Sequence, residues 1–135
     1  MRDHVLKMPG SRALVVDDDR KFADSLAVIL SQSGFDAKAV YSGSEAIRTA
    51  LTYPPDFIVM DVMMDEIDGV DAAIAICEWL PHCRIVLISV EPESIKRLAK
   101  ASVLGHQFDL LMKPVEISLL LDKLRGENAS RTIAA

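Results

Sequence analysis

Phe57-Ile58-Val59-Met60-Asp61 sets four large apolar residues in an unbroken row and ends on a carboxylate. A short apolar run without polar alternation is the mark of a strand covered on both faces, as in a parallel sheet packed between helices. An acid closing such a run is hard to explain as a solvated turn residue, because it lies one step from positions that must be dry. The pattern recurs near the N-terminus, where Ala13-Leu14-Val15-Val16 runs into Asp17-Asp18. It recurs again at Ile85 to Ile88 before Ser89, and at Phe108 to Met112 before Lys113. Phe35 to Tyr41 reads differently: Phe35, Ala37 and Ala39 alternate with Asp36 and Lys38, which suits a strand with one wet face at a sheet edge.

Helical patterns fill the intervals. Phe22, Leu26, Ile29 and Leu30 share a face, and Gly34 stops that helix. Ser42-Gly43-Ser44-Glu45 is a capping box that opens a helix with Ala46, Ile47, Ala50 and Leu51 on its apolar side. Asp68-Gly69 leads into a helix through Val70, Ile74 and Cys77 that ends before Pro81. Glu91-Pro92-Glu93 starts the next, apolar at Ile95, Leu98 and Ala99. Ile117, Leu120, Leu121 and Leu124 line the last. Strand–helix units in this succession predict an α/β fold, a doubly wound parallel sheet with right-handed crossovers and helices on both faces. The expected division is an N-terminal tail over 1–11, one domain over 12–126, and a C-terminal tail or start of a linker over 127–135.

At 135 residues, half of them apolar and 26% charged, the chain is globular in composition and long enough for one core. Its net charge of -5 argues against a nucleic-acid-binding surface in this domain. No apolar run approaches the length needed to span a bilayer, and none of signal-peptide length opens the chain. The expectation is a soluble cytoplasmic protein with no direct membrane contact. Cys77 and Cys83 lack metal-ligand spacing and read as buried or half-buried thiols, and His4, His82 and His106 share no metal spacing either. Trp79 and Met60 read as packing residues.

In a parallel sheet the polar strand ends Asp17-Asp18, Asp61, Ser89 and Lys113 fall along one edge, where open sheets of this class bind ligands. Clustered carboxylates repel, and a hard divalent cation such as Mg²⁺ relieves that repulsion while leaving room for phosphate oxygens. A carboxylate beside such a metal can attack phosphorus, and an ammonium and a hydroxyl can steady the transferring group. Asp19 reads instead as a helix cap.

These residues resemble the receiver family of two-component response regulators over residues 12 to 125. The acidic pair Asp17-Asp18, the segment Asp61-Val62-Met63-Met64 with Asp68-Gly69, Ser89 and Lys113-Pro114 carry the resemblance, in order and at the family's spacing. It implies a flavodoxin-like (βα)5 fold with strand order 2-1-3-4-5. It implies Asp61 as phosphoacceptor, helped by Lys113 and Ser89. Mg²⁺ would be held by Asp17, Asp18, Asp61 and the Met63 backbone carbonyl. It further implies a histidine kinase or phosphotransfer protein as donor, an unidentified downstream protein as target, and a homodimer as an open possibility. The Lys113–Pro114 bond is often cis in this family. Four departures stand out: Asp65 in place of a common Pro, Val90 where a smaller residue is frequent, Leu110 at the position of an aromatic, and a Gly105–Lys113 connection one residue longer than usual. Val90 would narrow access to Asp61, and a thioether at Met63 would slow hydrolysis of the acyl phosphate.

Three function classes compete. A phosphorylation switch, not an enzyme beyond self-phosphorylation and self-dephosphorylation, fits best. An aspartate-based phosphatase resembling the haloacid dehalogenases would need an acid two residues after Asp61, where Met63 stands. A degenerate receiver acting as a phosphate-independent interaction module is the alternative, kept open by Val90 and Leu110. No output-domain pattern follows residue 125, which leaves a stand-alone regulator and a part of a longer one both open.

Overall fold

Alternation within the strands decides the layers. The computed structural model describes residues 11–106 and 108–125; the expected tails, apart from Ser11, and His4 lie outside them. In β1 (Arg12–Val16), Leu14 and Val16 point to one side of the sheet, Ala13 and Val15 to the other. β3 (Phe57–Asp61) and β4 (Arg84–Ser89) divide in the same way, so both faces of the sheet are apolar and both need cover. α1 (Arg20–Gln32) and α5 (Ile117–Leu124) cover one face through Ala23, Leu26, Leu30, Leu120 and Leu124. α2 (Gly43–Thr52), α3 (Gly69–Trp79) and α4 (Glu93–Val103) cover the other. β2 (Asp36–Val40) and β5 (Asp109–Met112) are the edges of an all-parallel sheet in the order β2-β1-β3-β4-β5. The doubly wound fold, its strand order and the edge position of β2 match expectation.

Helix ends follow from the predicted caps. The Asp19 carboxylate accepts the Phe22 N–H, and Gly34, at φ 105°, ends α1 in the left-handed conformation that only glycine adopts cheaply. Ser42 accepts the Glu45 N–H, and the Glu45 carboxylate reaches back to the N–H of Tyr41, one residue before the cap.

Several apolar positions turn out differently. Leu51 is exposed, because α2 lies on the sheet through Ala46 and Ala50 with Ile47 at the margin. In α3 the buried stripe is Val70, Ala73 and Ile76 with Ala72, while Ile74 and Cys77 are only half-buried. Trp79 is 65% exposed rather than packed. The largest departure is α4, whose buried residues are Ser94 and Ala101; Leu98 packs partly, while Ile95 and Ala99 face water. The helix is rotated so that a hydroxyl faces inward. Phe108 precedes β5 instead of opening it, and it packs with Leu110 on one side of the sheet, as alternation required. Among the described residues no helix is long and apolar enough to cross a membrane.

Candidate functional site

The parallel ladder continues past the strands, and that continuation assembles the site. Asp17 N–H donates to the Val40 carbonyl at 3.2 Å, Val62 N–H to that of Ile88 at 2.9 Å, and Lys113 N–H to that of Ser89 at 2.9 Å. With Val16 paired to Met60, Asp61 to Ile88 and Ser89 to Met112, the strands end in step at their carboxyl edge. One carboxylate oxygen each from Asp17, Asp18 and Asp61 lies within 4.8 Å of the others. Asp17 and Asp61 are buried and Asp18 is exposed. The Lys113 ammonium donates to Asp17 Oδ2 at 2.9 Å, lies 3.8 Å from Asp61 Oδ1, and stands 4.5 Å over the centre of the Phe22 ring. The Lys113–Pro114 peptide is cis.

Glycine is required beside the acids. Gly69 N–H donates to the Val62 carbonyl at 2.7 Å, and a Cβ at Gly69 would collide with the backbone carbonyl of Asp61. The Asp-Gly that follows the acidic segment thus has a steric cause: Asp68 caps α3 by accepting the Asp71 N–H, and Gly69 lets that helix start against β3.

Electrostatics mark Asp61 as the strained member. Burial, then the charge of Asp17, push its carboxyl up to about 6, against the opposing pull of Lys113. Asp18, though exposed, is raised by partial loss of hydration and by the charges of Asp17 and Asp65, so Asp65 adds negative charge at the site. Burial alone would lower Lys113, but the hydrogen bond it donates to Asp17 and the charges of Asp61 and Asp17 leave it raised and cationic. Hard oxygen ligands, crowded like charges and a carboxyl held up by them form a donor set that a divalent cation of the Mg²⁺ kind would fit.

Asp17, Asp18, Asp61 and Lys113 therefore converge. Ser89 reaches the same edge, but its buried hydroxyl is engaged elsewhere: it accepts the Glu91 N–H at 2.9 Å and lies 2.6 Å from the Ser94 hydroxyl. Val90 is 61% exposed and Met63 36%. Two neighbours of the site, Phe22 and Ser94, escaped the sequence reading. Each looked like an ordinary helical residue, and its partner lies on another element.

The family model for the response regulator receiver domain matches residues 13–125. The chain belongs to that family. Among curated relatives, response regulator MprA of Mycobacterium ulcerans (strain Agy99) is 31% identical to this receiver domain over 115 residues, covering 85% of the chain and 49% of the relative. The DNA-binding response regulator MtrA of Mycolicibacterium smegmatis is 29% identical over 121 residues, again 85% and 49%. The receiver domain thus spans about half the length of these relatives. A CheY-like receiver structure from Methanospirillum hungatei JF-1 superposes with a TM-score of 0.79 at 19% identity, covering 93% of this chain and 99% of the other, which establishes the shared fold. A response regulator from Burkholderia pseudomallei, solved with a phosphorylated aspartic acid, a calcium ion and citrate, gives 0.77 at 25% identity over 90% and 72%.

The remaining candidates stand apart from this edge. His106 stacks on Phe108 and lies 4.0 Å from Glu78. Cys77 and Cys83 are free, half-buried thiols, the latter pushed up to about 12 chiefly by burial.

Proposed function

We propose that Asp61 accepts a phosphoryl group from a histidine kinase or a phosphotransfer protein, and that the modified receiver changes its contacts with a downstream protein. The reading rests chiefly on three carboxylates within 4.8 Å at the carboxyl edge of the sheet with the Lys113 ammonium beside them. The aspartyl phosphate and calcium ion of the Burkholderia relative support it by analogy. In the proposed step an Asp61 carboxylate oxygen bonds to phosphorus as the P–N bond of a phosphohistidine breaks. The departing imidazole keeps the electron pair and takes a proton from solvent. Asp17, Asp18, Asp61 and the Met63 carbonyl would hold Mg²⁺, which when bound supplies positive charge to the phosphoryl oxygens. Lys113 lies 3.8 Å from Asp61 Oδ1 and would pair with a phosphoryl oxygen placed there. Ser89 would donate to another oxygen after leaving Ser94. The domain would occupy residues 12–126 and work in the cytoplasm, where such kinases present their phosphohistidine. A homodimer and an attached output domain are further proposals that this reading accommodates.

The test is intact mass after incubation with acetyl phosphate. Wild type should gain one phosphoryl group in the presence of Mg²⁺ and none with EDTA, and Asp61→Asn should gain none in either. A second reading, a phosphate-independent interaction module, is favoured by one observation: the Ser89 hydroxyl is already committed to Glu91 and Ser94. It predicts no adduct under any of these conditions.

A further inference from the structure

Among the described residues the Lys113 ammonium is paired with two acids, Asp17 and Asp61, and a third neighbour is not an acid. The third is Phe22, in the first turn of α1. The Asp19 carboxylate accepts the Phe22 N–H at 3.2 Å, so the capping residue also fixes where this side chain starts. From there the ring lies with its face toward the Lys113 ammonium, 4.5 Å from Nζ to the ring centre. A cation at that distance over an aromatic face is attracted by the ring quadrupole. The acids alone do not centre Lys113 on the reacting position. Asp17, at 2.9 Å and almost fully buried, holds it more closely than Asp61 does at 3.8 Å. An additional carboxylate there would compete for the ammonium as Asp17 does, and a cation would repel it. An aromatic face attracts it without forming a rival ion pair, so Lys113 stays free to turn from Asp17 toward oxygens arriving at Asp61.

We propose that Phe22 is a positioning residue for Lys113, its ring face holding the ammonium beside Asp61 by cation–π attraction. The inference rests on the phosphoacceptor reading for its kinetic consequence, though not for the contact itself. Phe22 also packs against the core on the α1 side of the sheet, so the variants must separate ring electronics from bulk. Three serve: Phe22→Leu, which keeps apolar volume; Phe22→Tyr, which keeps the ring; and ring-fluorinated phenylalanine at 22, which keeps shape while draining the face of electron density.

Two measurements on the full chain complete the test. The first is the NMR shift of the Lys113 ε-methylene in unphosphorylated protein. It should carry a ring-current displacement that Phe22→Leu abolishes, Phe22→Tyr retains and fluorination weakens stepwise. The second is the rate of phosphorylation by acetyl phosphate with Mg²⁺, expected to fall about fivefold in Phe22→Leu, to recover in Phe22→Tyr, and to decline with each added fluorine, as a cation–π contact of ordinary strength requires. An unshifted Lys113 in wild type, or fluorinated protein reacting at the wild-type rate, overturns the proposal and leaves Phe22 a packing residue. If wild type shows the ring-current series yet takes no phosphoryl group, the contact stands and the phosphoacceptor reading fails.

Discussion

α1 and α4 lie on opposite faces of one sheet and are held there by different physics. α1 is capped by Asp19 and buries Ala23, Leu26, Ala27 and Leu30, so its place follows from apolar area removed from water. α4 starts after Pro92 with no side-chain cap, buries only Ser94 and Ala101, and leaves Ile95, Val103 and the Leu104 that follows it in water. Its specific ties are polar. The Ser94 hydroxyl meets Ser89 at 2.6 Å, and the Arg97 guanidinium donates to Asp68 at 3.1 Å. Both partners sit at the acidic edge: Ser89 ends β4, and Asp68 caps the helix that starts against Asp61. Burial is non-directional and resists switching, whereas a hydrogen bond can be exchanged when the charge beside it changes. Apolar burial thus anchors α1 more firmly than α4, and under the proposed function phosphorylation at Asp61 would act on the loosely held α4.

Core truncation should break the comparison open most widely. Leu30→Ala removes a side chain with no exposed surface and should cost about 3 kcal/mol, read as a lower urea midpoint at unchanged slope. Ile95→Ala on α4 should move stability by less than about 0.5 kcal/mol. Equal losses in the two helices would erase the distinction.

The acidic edge should give the next largest effect. With the folded carboxyl of Asp61 near 6 and the ordinary value at 3.8, the folded state binds the extra proton. Stability from this group is therefore complete below about pH 4, declines as pH rises through the interval to 6, and stays reduced above it. In metal-free solution at pH 7, Asp61→Asn should be more stable than wild type by about 3 kcal/mol, and the gap should close below about pH 4. Added Mg²⁺ should stabilise wild type and leave the variant nearly unmoved. A variant less stable than wild type at neutral pH would refute the crowding of charge at this edge.

The smallest effect concerns the polar ties. Arg97→Ala removes a partly exposed ion pair and should cost under about 1 kcal/mol in global stability. Amide exchange should nonetheless quicken in α4 while α1 keeps its protection. Uniform quickening across both helices would mean that Arg97 supports the whole fold rather than the placement of α4.

Much of this was legible in the sequence because the deciding features are local. Four apolar runs ending in polar residues, and one alternating run, were enough for the parallel sheet, its wet edge and the convergence of Asp17, Asp18, Asp61 and Lys113. Asp19 as a cap and Gly69 after Asp68 could also be read from neighbours in the chain. What could not be read was rotation and long-range pairing. Ile95 looks like core and Ser94 like surface on any apolar scale. Their exchange follows from a hydroxyl on β4 that α4 turns to meet. Phe22 has the spacing of a core residue, and nothing nearby in sequence announces a cation over its face. Ser89 was placed at the correct edge, yet its hydroxyl points to partners that only the fold reveals.

The most direct test of the central claim is to locate the modified residue. After incubation with acetyl phosphate and Mg²⁺, borohydride reduces an acyl phosphate to the alcohol, turning an aspartyl phosphate into homoserine, and peptide mass spectrometry reads its position. Homoserine at position 61, absent without Mg²⁺, is the predicted result. Homoserine at position 17 or 18, or none at any position while the protein is folded and metal-bound, would contradict the account.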